Sequence, residues 1–70
     1  MKELSLEGRP YIALHSLLKL QGWCESGAAA KHVIAGGLVF VDGLVELRKS
    51  CKIIAGRVVT YEARSVLISP

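Results

Sequence analysis

"SGAAAKHVIAGGLVFVDG", Ser26 to Gly43, carries three structural signals in succession. Ser26 is a helix N-cap residue, whose hydroxyl can accept from one of the N–H groups that a helix start leaves open. The helix it opens is predicted over Gly27–Ala35 and stops at Gly36-Gly37. Leu38-Val39-Phe40-Val41 then reads as a strand, and Asp42-Gly43 as a two-residue hairpin turn in which both residues take positive φ. Leu44-Val45-Glu46-Leu47 is the return strand. A two-residue loop sets Phe40 opposite Val45 and Val41 opposite Leu44. Both faces of this hairpin are largely apolar, so alternation does not say which one is buried.

The helix raises a question of its own, because a lysine stands in the middle of a small, apolar segment. At about 100° per residue, Ala30, Val33 and Ile34 share one side, and Ala28, Lys31, His32 and Ala35 the other. Lys31 and His32 are therefore expected to face outward. The small residues Gly27 to Ala30 keep that outer surface low, so a bulky partner can approach it closely.

Upstream, Tyr11, Leu14, Leu17 and Leu18 recur with the period of one helical face, which predicts a first helix over Tyr11–Gln21. Pro10 suits its first turn, Lys19 its last turn, and Gly22 its C-cap. Trp23 to Glu25 is a short connection, and Leu4-Ser5-Leu6 is a candidate edge strand. Downstream, Arg48 to Cys51 reads as a basic loop and Lys52 to Ile54 as a short extended piece. Ala55-Gly56 is a turn and Arg57 to Tyr61 a strand. Glu62 to Ser65 is a connection and Val66 to Ile68 a last strand. Helix, helix, then several strands makes an α+β domain. We expect one domain over residues 1–70, with two short helices packed on a small, mainly antiparallel sheet.

Composition narrows the function. Half of the 70 residues are hydrophobic (51%), which suits a packed mini-domain and argues against disorder. No apolar run approaches the ~20 residues that span a bilayer. The start, MKELSLEGRP, lacks the apolar stretch of a signal peptide. A cytoplasmic protein with no membrane association is expected. Spacing alone does not argue for a disulfide between Cys24 and Cys51, and two free thiols are the simpler expectation. His15 and His32 are isolated and no C-x-x-C occurs, so no metal site and no cofactor is expected. The glutamates form no evident acid/base pair, and phosphate-loop and nucleophile-elbow patterns are missing. No catalytic residue is assigned. The formal charge is +3, from nine basic and six acidic residues; its placement says more, since bases cluster at Arg48-Lys49-Ser50-Cys51-Lys52.

Several motifs now stand in a particular order. They are a short helix pair with Leu17-Leu18-Lys19, then Ser26-Gly27 and Ala30-Lys31. Gly37-x-Val39-x-Val41-Asp42-Gly43, Arg48-Lys49, Cys51-Lys52 and Gly56-x-Val58 follow. From Tyr11 to Ile68 this order resembles the S-four RNA-binding domain, in the form of its small stand-alone bacterial members. Some positions depart from the pattern. Ala13-Leu14-His15 stands where many members carry Arg-Leu-Asp, and Ser26-Gly27 where many carry Ser-Arg. Arg57 replaces a usual acid, and Asp42 a common asparagine whose turn chemistry it keeps.

The resemblance implies a non-catalytic protein that binds structured RNA, ribosomal or transfer, on a face made by the helix pair and the edge of the hairpin. Lysine and arginine on one face read a phosphate backbone. The candidate contacts are Lys19, Lys31, Arg48, Lys49, Lys52 and Arg57. Ser26 and Gly27 join them at a helix start whose free N–H groups can hold a phosphate. Trp23 and Phe40 are expected as packing residues rather than base-stacking platforms, and His15 and His32 as surface or packing residues. A monomer is expected. The alternative reading is a protein-interaction module, suggested by the high hydrophobicity of so small a chain. A DNA-binding helix-turn-helix fits poorly, because Gly27 to Ala30 is bare of base-reading side chains.

Overall fold

A computed structural model describes all 70 residues, Met1–Pro70. The hairpin sits where its turn chemistry predicts. β3 (Val39–Val41) and β4 (Leu44–Val45) pair antiparallel, with Phe40 opposite Val45 and Val41 opposite Leu44. Asp42 and Gly43 both take positive φ, 52° and 82°. The Asp42 carboxylate accepts from the Val58 N–H at 2.9 Å and from the Arg57 guanidinium at 2.9 Å. The turn residue thus also anchors the start of β6 (Val58–Tyr61).

β3 pairs antiparallel with β6, and β6 with β7 (Arg64–Ser69). The β6–β7 turn is tighter than the expected four-residue connection. Tyr61 pairs directly with Arg64, so only Glu62 and Ala63 turn the chain, with Glu62 at φ 57°. β1 (Lys2–Ser5) adds to β7 in parallel and makes one edge of a five-stranded sheet, ordered β1-β7-β6-β3-β4. It begins two residues earlier than Leu4–Leu6, and Leu6 itself is a buried core residue.

The first helix is shorter than its periodicity suggested. α1 spans Leu14–Leu20. Ile12 and Ala13 form β2 instead, a two-residue strand paired antiparallel with β5 (Lys52–Ile53). Tyr11 and Pro10 therefore lie outside the helix, and Tyr11 is exposed beneath the Lys52 ammonium, 5.1 Å from its ring centre. Leu14, Leu17 and Leu18 are fully buried, as the helical face requires. α2 (Gly27–Ala35) keeps its predicted bounds, with Ser26 Oγ accepting from the Ala29 N–H at 3.0 Å. Both helices end in the same way. The amide that follows a glycine at positive φ, Gly22 or Gly37, reaches back into the last turn, from Trp23 to the Leu18 carbonyl and from Leu38 to the Val33 carbonyl.

α1 and α2 pack together over one face of the sheet. The core is wholly apolar: helix residues Leu14, Leu17, Leu18, Ala30 and Ile34 meet Val39, Ile53, Val59, Val66 and Ile68. Val39 is buried whereas Phe40, on the opposite face of β3, is 38% exposed. That resolves the hairpin's two apolar faces: the Val39 face is turned to the core, and Phe40 lies partly covered on the outer face. Trp23 does pack, half-buried against the core with the Arg64 guanidinium over its ring.

Candidate nucleic-acid interface

Seven residues line an open groove between the two helices: His15, Ser16, Lys19 and Leu20 from α1, with Gly27, Ala28 and Lys31 from α2. Helical spacing explains the set. His15 and Lys19 are one turn apart on α1, and Gly27, Ala28 and Lys31 share the first turns of α2. Lys19 and Lys31 are exposed and contribute the groove's two ammonium groups. At its α2 end, Ser26 occupies the Ala29 amide and the Ser26 carbonyl accepts from Ala30. The Gly27 and Ala28 N–H groups are left without a partner in the chain, and both residues line the groove. A Cβ on Gly27 would meet nothing nearer than the His15 ring, at 3.9 Å.

The loop after the hairpin docks against the other end of α1. Ala13 supplies no side-chain cap to this helix. The loop carbonyls do the capping: Cys51 accepts from the Leu14 N–H at 2.9 Å, and Lys49 from the His15 N–H at 3.1 Å. The His15 ring adds Nδ1 to the same Lys49 carbonyl at 3.0 Å. Lys49 therefore stands beside the groove although it is remote in sequence. Lys52 lies next to it on β5, opposite Ala13.

The two arginines of the candidate set are engaged differently from the four lysines. Arg48 forms a bidentate pair with Glu46, at 2.9 and 3.0 Å, and its backbone N–H donates to the same carboxylate. These bonds hold the Glu46 carboxyl at about 2, well under the usual carboxylate range. Arg57 pairs with Asp42 at 2.9 Å; the Val58 N–H and then Arg57 hold that carboxyl below its ordinary value. Lys19, Lys31, Lys49 and Lys52 have no carboxylate partner. Arg48, Lys52 and Arg57 line a second depression below the hairpin, with Asp42 and Glu46 in its wall. The structure thus brings Lys19, Lys31, Gly27 and the Ser26-capped helix start together and docks the Lys49 backbone against His15 at the groove's edge. It sets Lys52 apart, over the Tyr11 ring and in the second depression with Arg48 and Arg57, whose charges have internal partners.

His15, expected as a surface or packing residue, lines the groove, as do Ser16 and Leu20 outside the candidate set. Its one-turn spacing from Lys19 was the available signal. Cys24 and Cys51 are free thiols. Burial pushes the Cys24 thiol up. Burial, and then the neighbouring Glu46 carboxylate, do the same to Cys51. No group of three or more metal-ligating side chains comes together, and no helix is long and apolar enough to cross a membrane.

Comparison with known proteins agrees with this architecture. The S4 domain family model matches residues 4–69. The chain is 53% identical over 68 residues to the Escherichia coli (strain K12) protein named "Putative RNA-binding protein YbcJ", covering 97% of both chains. The "Uncharacterized protein YbcJ" of Shigella flexneri matches with the same identity and coverage. The solution structure of E. coli YbcJ, described as revealing an alfaL motif involved in RNA-binding, superposes with a TM-score of 0.76 at 51% identity. That match covers all of this chain and 89% of the other.

Proposed function

This chain belongs to the S4 domain family, and from that premise we propose that it is a non-catalytic RNA-binding protein acting on structured RNA, ribosomal or transfer, as a monomer in the cytoplasm. The observation that carries the reading is the α1–α2 groove. Its two unpaired lysines, Lys19 and Lys31, accompany the open amides of Gly27 and Ala28. Ammonium groups and backbone N–H groups are what phosphate oxygens need, and the low side chains at Gly27 and Ala28 let a sugar–phosphate chain reach them. Lys49, on the docked loop, adds to this charge, and Lys52 on β5 supplies a further contact outside the groove. Arg48 orders the loop through Glu46, and Arg57 ties the hairpin turn to β6 through Asp42. The relatives' descriptions as RNA-binding support the same assignment.

Titration with a structured RNA at several salt concentrations tests the reading. With about four to six phosphates held, affinity falls well over tenfold between roughly 50 and 200 mM salt. No binding at low salt, or a flat salt response, refutes it.

One observation favours a second reading, a protein-interaction module. Leu38, Phe40, Val45 and Leu47 are exposed together on the outer side of the hairpin, with Val45 and Leu47 against Gly37. Affinity capture with and without nuclease separates the two, because only protein partners survive RNA removal.

A further inference from the structure

The α1–α2 groove presents hydrogen-bond donors almost throughout: the Lys19 and Lys31 ammonium groups and the Gly27 and Ala28 amides. Phosphate oxygens only accept, so these donors serve RNA and DNA alike. The Ser16 hydroxyl rotates freely and can either donate or accept.

His15 differs from all of these. Its Nδ1 lies 3.0 Å from the Lys49 carbonyl oxygen. A carbonyl can only accept, so Nδ1 carries the hydrogen. A neutral imidazole has one N–H, which leaves the lone pair on Nε2. Nε2 has no partner in the chain. Cδ2, the carbon bonded to Nε2, is the ring atom nearest to where a Gly27 Cβ would stand, at 3.9 Å. The Nε2 edge therefore borders the groove, while the Nδ1 edge is turned to the loop. Two bonds to one carbonyl, from the His15 ring and from its backbone N–H, hold the ring in this orientation.

We propose that His15 Nε2 accepts a hydrogen bond from a ribose 2′-hydroxyl, making His15 a residue that selects RNA over DNA. The inference rests on the reading of the groove as an RNA site and assigns that site its sugar specificity. The 2′-hydroxyl is the donor that distinguishes the two backbones. An acceptor of fixed direction beside two phosphate-binding lysines is placed to meet a sugar of the nucleotides whose phosphates they hold.

The test uses a synthetic stem–loop RNA of about 20 nucleotides and copies carrying one 2′-deoxy sugar each, which leave the A-form stem in place. Binding is measured near pH 8, above the usual imidazole range. The wild-type protein should lose about three- to tenfold affinity at one sugar position, the worth of a single neutral hydrogen bond. His15→Asn keeps a side-chain N–H for the Lys49 carbonyl but has nothing at the Nε2 position. It should bind the deoxy copy and the parent RNA equally, with melting temperature unchanged. His15→Gln places a carbonyl oxygen near the Nε2 position and should restore some of the sensitivity. If wild type binds the RNA but no deoxy copy binds more weakly, the inference is overturned. The same holds if His15→Asn keeps the full sensitivity. If wild type fails to bind the stem–loop even at low salt, the RNA reading itself falls.

Discussion

His15 and Lys49 meet through a single carbonyl: the Lys49 oxygen accepts from both the His15 backbone N–H, at 3.1 Å, and the ring Nδ1, at 3.0 Å. With the Cys51 carbonyl, which accepts from the Leu14 N–H, this contact caps α1 and fixes where the basic loop lies relative to the helix groove. The ordering of that loop depends in turn on Glu46, which grips Arg48 at both guanidinium and backbone.

Acid should loosen this loop. The folded Glu46 carboxyl titrates near 2, below its ordinary 4.5, so the unfolded chain binds its proton first. The stabilisation is complete above about 4.5 and is lost as pH falls toward 2. Glu46→Gln should flatten the acid limb of a melting-temperature profile over that window and leave its shape at neutral pH unchanged. An acid limb identical to that of wild type would mean the pair contributes nothing to stability.

Lysine and arginine substitutions should separate by their partners. Lys31→Glu or Lys19→Glu should weaken binding to every structured RNA tested and reduce the salt slope by more than about one, without lowering the melting temperature. Arg48→Ala should change affinity less, because its charge is already opposed by Glu46. Salt-dependent titrations of the three variants read this out; a larger loss from Arg48→Ala would reverse the assignment of the binding face.

Gly27→Arg should strengthen binding, because the phosphate contact its guanidinium adds outweighs the clearance that its stem takes from the Gly27 and Ala28 amides. The backbone there is helical, and the first atom of a side chain meets only the His15 ring, at an ordinary contact distance. The added guanidinium enters the groove beside Lys31, and a helix former replaces a glycine. The salt slope should steepen by about one, and thermal stability should not fall.

Asp42 combines three tasks: a positive φ, a bond to the Val58 N–H and a pair with Arg57. Asn tolerates that backbone and keeps one oxygen for Val58, whereas Ala does neither. Thermal melts should rank wild type above Asp42→Asn, and Asp42→Asn above Asp42→Ala, with the last lowered by roughly 5 °C or more.

Local chemistry made the second helix and the hairpin legible. The Ser26 cap, the double glycine and Asp42-Gly43 each act within a few residues of themselves. The start of α1 was not legible, because Tyr11 falls in helical period with Leu14, Leu17 and Leu18, yet Ile12 and Ala13 between them extend to pair with β5 far downstream. The helix is capped there by the carbonyls of Lys49 and Cys51, which no neighbouring side chain announces. The basic residues could be enumerated from sequence, but their engagement could not. Glu46 lies two residues from Arg48 and invites the pairing, whereas Asp42 reaches Arg57 only once β3 and β6 are side by side. Phe40 escaped the apolar rule because the helices cover the Val39 face of the sheet and leave the other face open.

The parallel pairing of β1 with β7 sets how the domain bears load. Lys2 lies beside Val66 and Ser5 beside Ser69, so the first and last strands run in the same direction. Tension applied through residues 1 and 70 pulls the two strands lengthwise past each other. Their shared hydrogen bonds are then strained together and cannot open in sequence like a zip. The two ends of the domain therefore resist being drawn apart until that whole seam gives way at once.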